Sequence, residues 1–96
     1  MTIEISSIHK TSSRLGVGDK VRLVDLESVD PEMFGYKDYD EFFDEVARYE
    51  GKVGTVVGIE VNYPEEPQPA YVDVETEDGW LFTAISTLHL RRIISV

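Results

Sequence analysis

The chain has 96 residues, 42% of them hydrophobic and 29% charged, with a formal net charge of −10. That composition suits one ordinary globular domain with a modest core and excludes an intrinsically disordered chain. Cysteine is absent, which excludes a disulfide framework, a thiolate metal site and a cysteine nucleophile, and favours a reducing compartment.

The first fourteen residues are polar, with three scattered isoleucines and two Ser-Ser pairs, and read as a flexible arm with a short strand over Ile3 to Ile8. No basic leader runs into an apolar stretch, and no stretch approaches membrane-spanning length, so a cytoplasmic location is expected. The remaining residues, 15–96, read as a single domain. Leu15-Gly16-Val17-Gly18-Asp19 is a glycine-punctuated turn, and Lys20-Val21-Arg22-Leu23-Val24 alternates charged and apolar residues as a half-buried strand does.

Pro31 ends any extension of that strand. Tyr39, Phe42, Phe43, Val46 and Tyr49 or Glu50 then fall at helical spacing, which predicts one α-helix over about 38–50 inside an insertion at 27–50. Asp38 is the N-cap and Glu41 its capping-box partner, acids crowd the first turns, and Gly51 ends the helix. Lys52 to Val61 is β-branched and apolar, with Gly54 and Gly58 marking a bulge or a close backbone approach. Pro64, Pro67 and Pro69 give an acidic loop. Val72 and Val74 alternate with Tyr71, Asp73 and Glu75 in a two-faced strand, Glu77-Asp78-Gly79 turns it, and Trp80 to Ile85 returns. Ser86 caps a brief helical turn over Ser86 to His89, and Leu90 to Ile94 is the last strand. Five short strands with one helix between the first and second of them suit a mainly-β chain forming a small, nearly closed barrel.

Gly18-Asp19-Lys20-Val21-Arg22-Leu23, Gly51-Lys52-Val53-Gly54-Thr55-Val56-Val57-Gly58-Ile59, Tyr71-Val72-Asp73-Val74 with Gly79-Trp80, and Leu88-His89-Leu90-Arg91-Arg92-Ile93 together resemble the Src-homology-3-like small β-barrel superfamily. The likeness is to its KOW-type and Mind-bomb-repeat variants, which also occur in bacterial and phage proteins. It implies a five-stranded barrel and a binding role in place of catalysis, and a phage or prophage source fits it. The acidic helical segment between the first two strands is longer than the pattern requires. Fold likeness does not choose among peptide binding, ribosome or polymerase partnership and subunit roles.

The motifs that carry chemistry fail one by one. An EF-hand loop counted from Asp38 would need glycine where Phe43 stands and glutamate where Tyr49 stands. His9 and His89 lack the spacing of metal ligands, and Ser86 with His89 lacks a nucleophile elbow and a paired acid. Gly16-Val17-Gly18 and Gly51-Lys52-Val53-Gly54 match no phosphate-binding pattern. No catalytic residue, cofactor or metal site is therefore expected, and the chain reads as non-catalytic.

Charge points to the partner. Between Asp25 and Glu50 ten acids stand against Lys37 and Arg48, whereas up to Val24 the cations Lys10, Arg14, Lys20 and Arg22 outnumber Glu4 and Asp19. After Gly51, seven acids stand against Lys52, Arg91 and Arg92. An accessory or interaction module binding a basic protein is the expected function, with Asp40, Glu41, Asp44 and Glu45 beside Tyr36, Tyr63, Tyr71 and Trp80 as partner-binding residues. Trp80 and Phe82 are open to two readings, core filling or a ligand-facing aromatic surface. The alternative function is a DNA-mimicking inhibitor whose helix carboxylates stand in for phosphates. A weaker one is KOW-like nucleic-acid or ribosome binding through Lys20, Arg22, Arg91 and Arg92, which the net charge disfavours. A membrane partner is not expected.

Overall fold

The computed structural model describes residues 2–5 and 14–95. Among these residues six strands form one antiparallel sheet: β1 (Thr2–Ile5), β2 (Lys20–Leu23), β3 (Val53–Val61), β4 (Tyr71–Thr76), β5 (Leu81–Ser86) and β6 (Leu90–Ser95). One α-helix, α1 (Tyr39–Val46), lies between β2 and β3. The spatial order is β1-β6-β2-β3-β4-β5.

Two expectations are corrected here. The sheet is open, not a closed five-stranded barrel: β1 and β5 are its edges, and no ladder joins them among the described residues. Thr2–Ile5 pairs antiparallel with β6, Ile3 opposite Ile94, and adds a strand ahead of β2. In chain order the helix therefore follows the second strand, not the first. Residues 6–13 of the expected arm, including His9, lie outside the described residues.

The reason the sheet stays open is visible in its core. Val21, Leu23, Val56, Val72, Val74, Phe82, Ile85 and Leu90 point inward from the strands, and Leu26, Val29, Phe42, Val46 and Tyr49 meet them from the segment between β2 and β3. That segment covers the apolar face which a closing ladder would otherwise have to seal. It is part of the core, not an appendage.

Local signals behave as their chemistry requires. Asp38 accepts from the backbone N–H groups of Asp40 at 2.9 Å and Glu41 at 3.4 Å, so α1 starts where a side-chain cap is available. The helix is shorter than expected: after Val46 the chain tightens to a 3-10 turn over Ala47–Tyr49, and Gly51 follows at φ 77°. The β4–β5 turn runs Glu77-Asp78-Gly79 between Thr76 and Trp80, with Gly79 at φ 89°. Only the glycine takes positive φ, as in a three-residue hairpin loop. A 3-10 turn over Thr87–His89 precedes β6, and Ser86 accepts from Leu88 N–H at 3.3 Å.

The β3 glycines are both explained. A side chain at Gly54 would put Cβ 2.6 Å from Val74 Cγ1, the close approach of two strands. The β3–β4 register shifts between Val56 and Gly58, a bulge.

Candidate functional site

A groove lies between the segment carrying α1 and the edge strand β5. It has a volume of about 300 Å³ and is lined by Tyr36, Val46 and Trp80 together with Leu81, Phe82, Thr83 and Ala84. Phe42 and Val46, one helical turn apart, anchor α1 in the core. Tyr36 packs edge-on against Phe42, with ring centroids 5.3 Å apart.

The four expected helix carboxylates divide. At 100° per residue, Glu41 and Glu45 share one flank, while Asp40 and Asp44 point outward. Glu45 accepts from Tyr36 Oη at 2.6 Å. That hydrogen bond, with burial and the nearby charges of Glu45 and Glu41, pushes the Tyr36 phenol up to about 12. Tyr36 thus belongs to both the groove and the acidic flank.

Trp80 does both of the things the sequence left open. It is half-buried, packed against the core and stacked on Tyr49 at 5.5 Å, and it lines the groove. Tyr49 and Phe82 meet at right angles, 5.6 Å apart, and Arg48 lies over the rings of Tyr49 and Trp80 at 5.0 and 5.8 Å. Arg48 also donates to Tyr49 Oη at 3.0 Å. Below this stack Asp78 accepts from Thr76 Oγ1 at 2.5 Å and Tyr49 Oη at 2.8 Å. Those bonds, Thr76 first, hold its carboxyl below the usual range, while burial, with the bond to Asp78, pushes the Tyr49 phenol up.

Tyr63 and Tyr71 are not brought to this groove. Tyr71 pairs with Ser86 at the far end of the hairpin, roughly 17 Å along the strand from the Trp80 end. Tyr63 is exposed in the proline loop, where its carbonyl accepts from Arg14 at 3.2 Å. Arg14 also bonds Asn62 and Glu66, and Leu15 N–H donates to buried Gln68 at 2.7 Å, so the loop is pinned to the start of the domain.

The groove residues missed by sequence reasoning are Val46, Leu81, Thr83 and Ala84. Alternation around buried Phe82 places Leu81 and Thr83 outward and was readable. Ala84 was not: it sits at φ 56°, where a non-glycine side chain is strained, opposite a break in the β4–β5 register. Its N–H donates to Asp73 Oδ1 at 2.8 Å. The same Asp73 carboxylate raises the neighbouring Glu60.

Of the cations proposed for nucleic-acid binding, Lys20, Arg22 and Arg91 share the outer face of β2 and β6, and Arg92 does not. In the β2–β6 register Arg22 stands opposite Arg91, whereas Arg92 stands opposite buried Val21 on the inner face. Arg92 pairs with Asp19 at 3.2 Å and Arg22 with Glu4 at 2.6 Å. A second cleft, of about 710 Å³, holds Arg22, Arg48 and Lys52 beside Glu77 and Asp78, so its charges largely offset. Among the described residues no cluster of three His, Asp or Glu is placed to hold a metal ion, and no helix is long and apolar enough to cross a membrane.

No family model matches the chain, and neither the curated proteins nor the solved structures contain a match to it.

Proposed function

We propose that the chain is a non-catalytic protein-interaction module, an opened relative of the Src-homology-3-like small barrels, that takes a basic partner across α1 and the aromatic face beside it. The observation that carries this reading is the groove between Tyr36 and Trp80, bordered on the Tyr36 side by Glu41 and Glu45. Apolar lining with a charged border is how binding clefts combine affinity with orientation. Excess negative charge on the domain adds electrostatic steering toward a cationic surface.

The DNA-mimic reading is the weaker one. Eight residues of α1 rise only about 12 Å. Duplex DNA of that length carries about seven charges. The helix offers Asp40, Glu41, Asp44 and Glu45, of which Glu45 is engaged by Tyr36. A row of carboxylates that short is a poor substitute for a phosphate track.

The test is affinity capture at 50 and 300 mM salt with the native chain and with a variant carrying Asp40→Asn, Glu41→Gln, Asp44→Asn and Glu45→Gln, salt levels that bracket strong and weak screening at roughly 14 and 6 Å. A basic partner held at low salt by the native chain alone supports the reading. Equal capture by both proteins at both salts rejects the acidic surface as the partner site.

A further inference from the structure

Resting on that reading, we infer that the partner's contact element is a short, extended, cationic segment that adds as a strand to the outer edge of β5 at Leu81–Thr83. Among the described residues β5 pairs with β4 on one side only, and it is the last strand of the sheet. Thr76 N–H donates to Trp80 C=O at 2.9 Å, which fixes the Trp80 backbone toward β4. Backbone direction alternates along an antiparallel strand, so Phe82 also faces β4, while the N–H and C=O of Leu81 and Thr83 face the open side. An added strand finds two donors and two acceptors there.

Edge strands are normally protected by lysine, proline or a bulge. Leu81-Phe82-Thr83 has neither charge nor proline, and Leu81 is 50% exposed. The edge is protected by the bulge at Thr83–Ala84, where Ala84 is left-handed and the straight edge ends. The edge that remains is therefore short, bounded and open. Main-chain pairing supplies affinity in strand addition, and alternate side chains need a pocket for specificity. The groove on this same side supplies it, with Tyr36 and Val46 facing Trp80 and the β5 residues across about 300 Å³.

Charge fixes the ligand's chemistry and its polarity. Near Trp80 the charges offset: Arg48 is engaged with Tyr49, and Asp78 accepts from Tyr49 Oη and from Trp80 N–H at 3.3 Å. Near Tyr36 the charge is that of Glu41 and Glu45. A bound segment accordingly places apolar side chains against Trp80 and its lysines or arginines toward Tyr36.

The probes are acetyl-Lys-Val-Lys-Val-Lys-Val-Lys-amide, its Glu-for-Lys counterpart, and the lysine peptide with its valine amides N-methylated. Backbone amide spectra and hydrogen exchange of the full chain are read at low salt. The lysine peptide is expected to shift and protect the amides of Leu81 and Thr83, and N-methylation to weaken it roughly tenfold, the loss of one or two hydrogen bonds. The glutamate peptide is expected not to bind. Thr83→Pro should abolish the protection, and the N-methylated peptide gives the same information with an unaltered protein. Shifts confined to α1 with no sensitivity to N-methylation would overturn strand addition and leave the acidic partner surface standing. No binding of the lysine peptide would overturn both. Equal binding of the glutamate peptide would overturn the cationic assignment, and concentration-dependent shifts at Leu81 and Thr83 without peptide would give the edge to a second copy of the chain.

Discussion

Glu50 and Leu26 close the neck of the segment that carries α1: the Glu50 carboxylate accepts the Leu26 N–H at 2.8 Å, and its other oxygen accepts that of Asp25 at 2.9 Å. One residue on, Gly51 N–H donates to Leu23 C=O at 2.7 Å, and Leu23 N–H donates to Lys52 C=O at 2.9 Å. The segment therefore leaves and re-enters the sheet at one place, and its apolar residues are delivered to the core together. Placement of Tyr36 and Val46 in the groove depends on this closure.

Glu50→Ala removes a charged acceptor from two backbone donors. Bonds of this kind contribute about 1–3 kcal/mol when buried, and Glu50 is exposed, so a loss of about 1–2 kcal/mol is expected. Glu50→Gln keeps one acceptor and should lose less. Urea denaturation at pH 7 measures both, and an Ala variant as stable as the native chain would show that the neck is held by the Leu23 bonds alone.

A second expectation concerns the strained residue of the groove. A non-glycine side chain in the left-handed region costs about 1–2 kcal/mol, and glycine gives part of that back through unfolded-state entropy. Ala84→Gly should therefore stabilise the fold by about 0.5–1 kcal/mol. Asp73→Ala should act in the opposite direction, because it removes the acceptor of the Ala84 N–H. Thermal unfolding of the two single variants and the double variant checks the coupling.

Much of the fold was legible because local chemistry and tertiary packing agree. Asp38 is a cap wherever a helix starts beside it, Val72 and Val74 alternate with polar neighbours, and Gly79 permits the hairpin turn. Sheet closure was not legible. Whether a sheet closes on itself depends on what else covers its apolar face, and Phe42, Val46 and Tyr49 could serve equally as an independent helix face or as part of the common core. The candidate site was half legible. Tyr36, Glu41, Glu45 and Trp80 were identified by residue type, but only the fold separates them from Tyr63 and Tyr71. Ala84 leaves no trace in the sequence, since its conformation is imposed by the β4–β5 register and Asp73.

The pH dependence has two sides. Asp78 titrates below its ordinary value of 3.8 in the folded chain, so its contribution is present above about pH 4 and is lost as pH falls through the lower folded value. Tyr36 titrates at about 12 against an ordinary 10.0. Its contribution is complete below pH 10 and disappears as pH rises toward 12, and Tyr49 acts in the same direction. Glu60 opposes Asp78, because a raised carboxyl favours the folded state as pH falls. Tyr36→Phe should flatten the alkaline loss, and Asp78→Asn the acid loss. Stability against pH by urea titration reads both, and an alkaline limb unchanged in Tyr36→Phe would locate that loss elsewhere.

The two β3 glycines should respond unequally to alanine. At Gly54 the new Cβ meets Val74 Cγ1 at 2.6 Å and the Glu75 carbonyl oxygen at 3.0 Å. Val74 is wholly buried and the carbonyl belongs to the backbone, so neither can yield, and a cost of about 1–3 kcal/mol is expected. At Gly58 the nearest atom is Asp73 Oδ2 at 2.7 Å, the movable end of a side chain. Its displacement costs less directly but takes Oδ1 away from Ala84, so the penalty should resemble that of Asp73→Ala. Combining Gly58→Ala with Asp73→Ala should then add little to either alone, whereas Gly54→Ala with Asp73→Ala should be closer to additive. Full additivity in the Gly58 pair would show that the bulge is not held through Asp73.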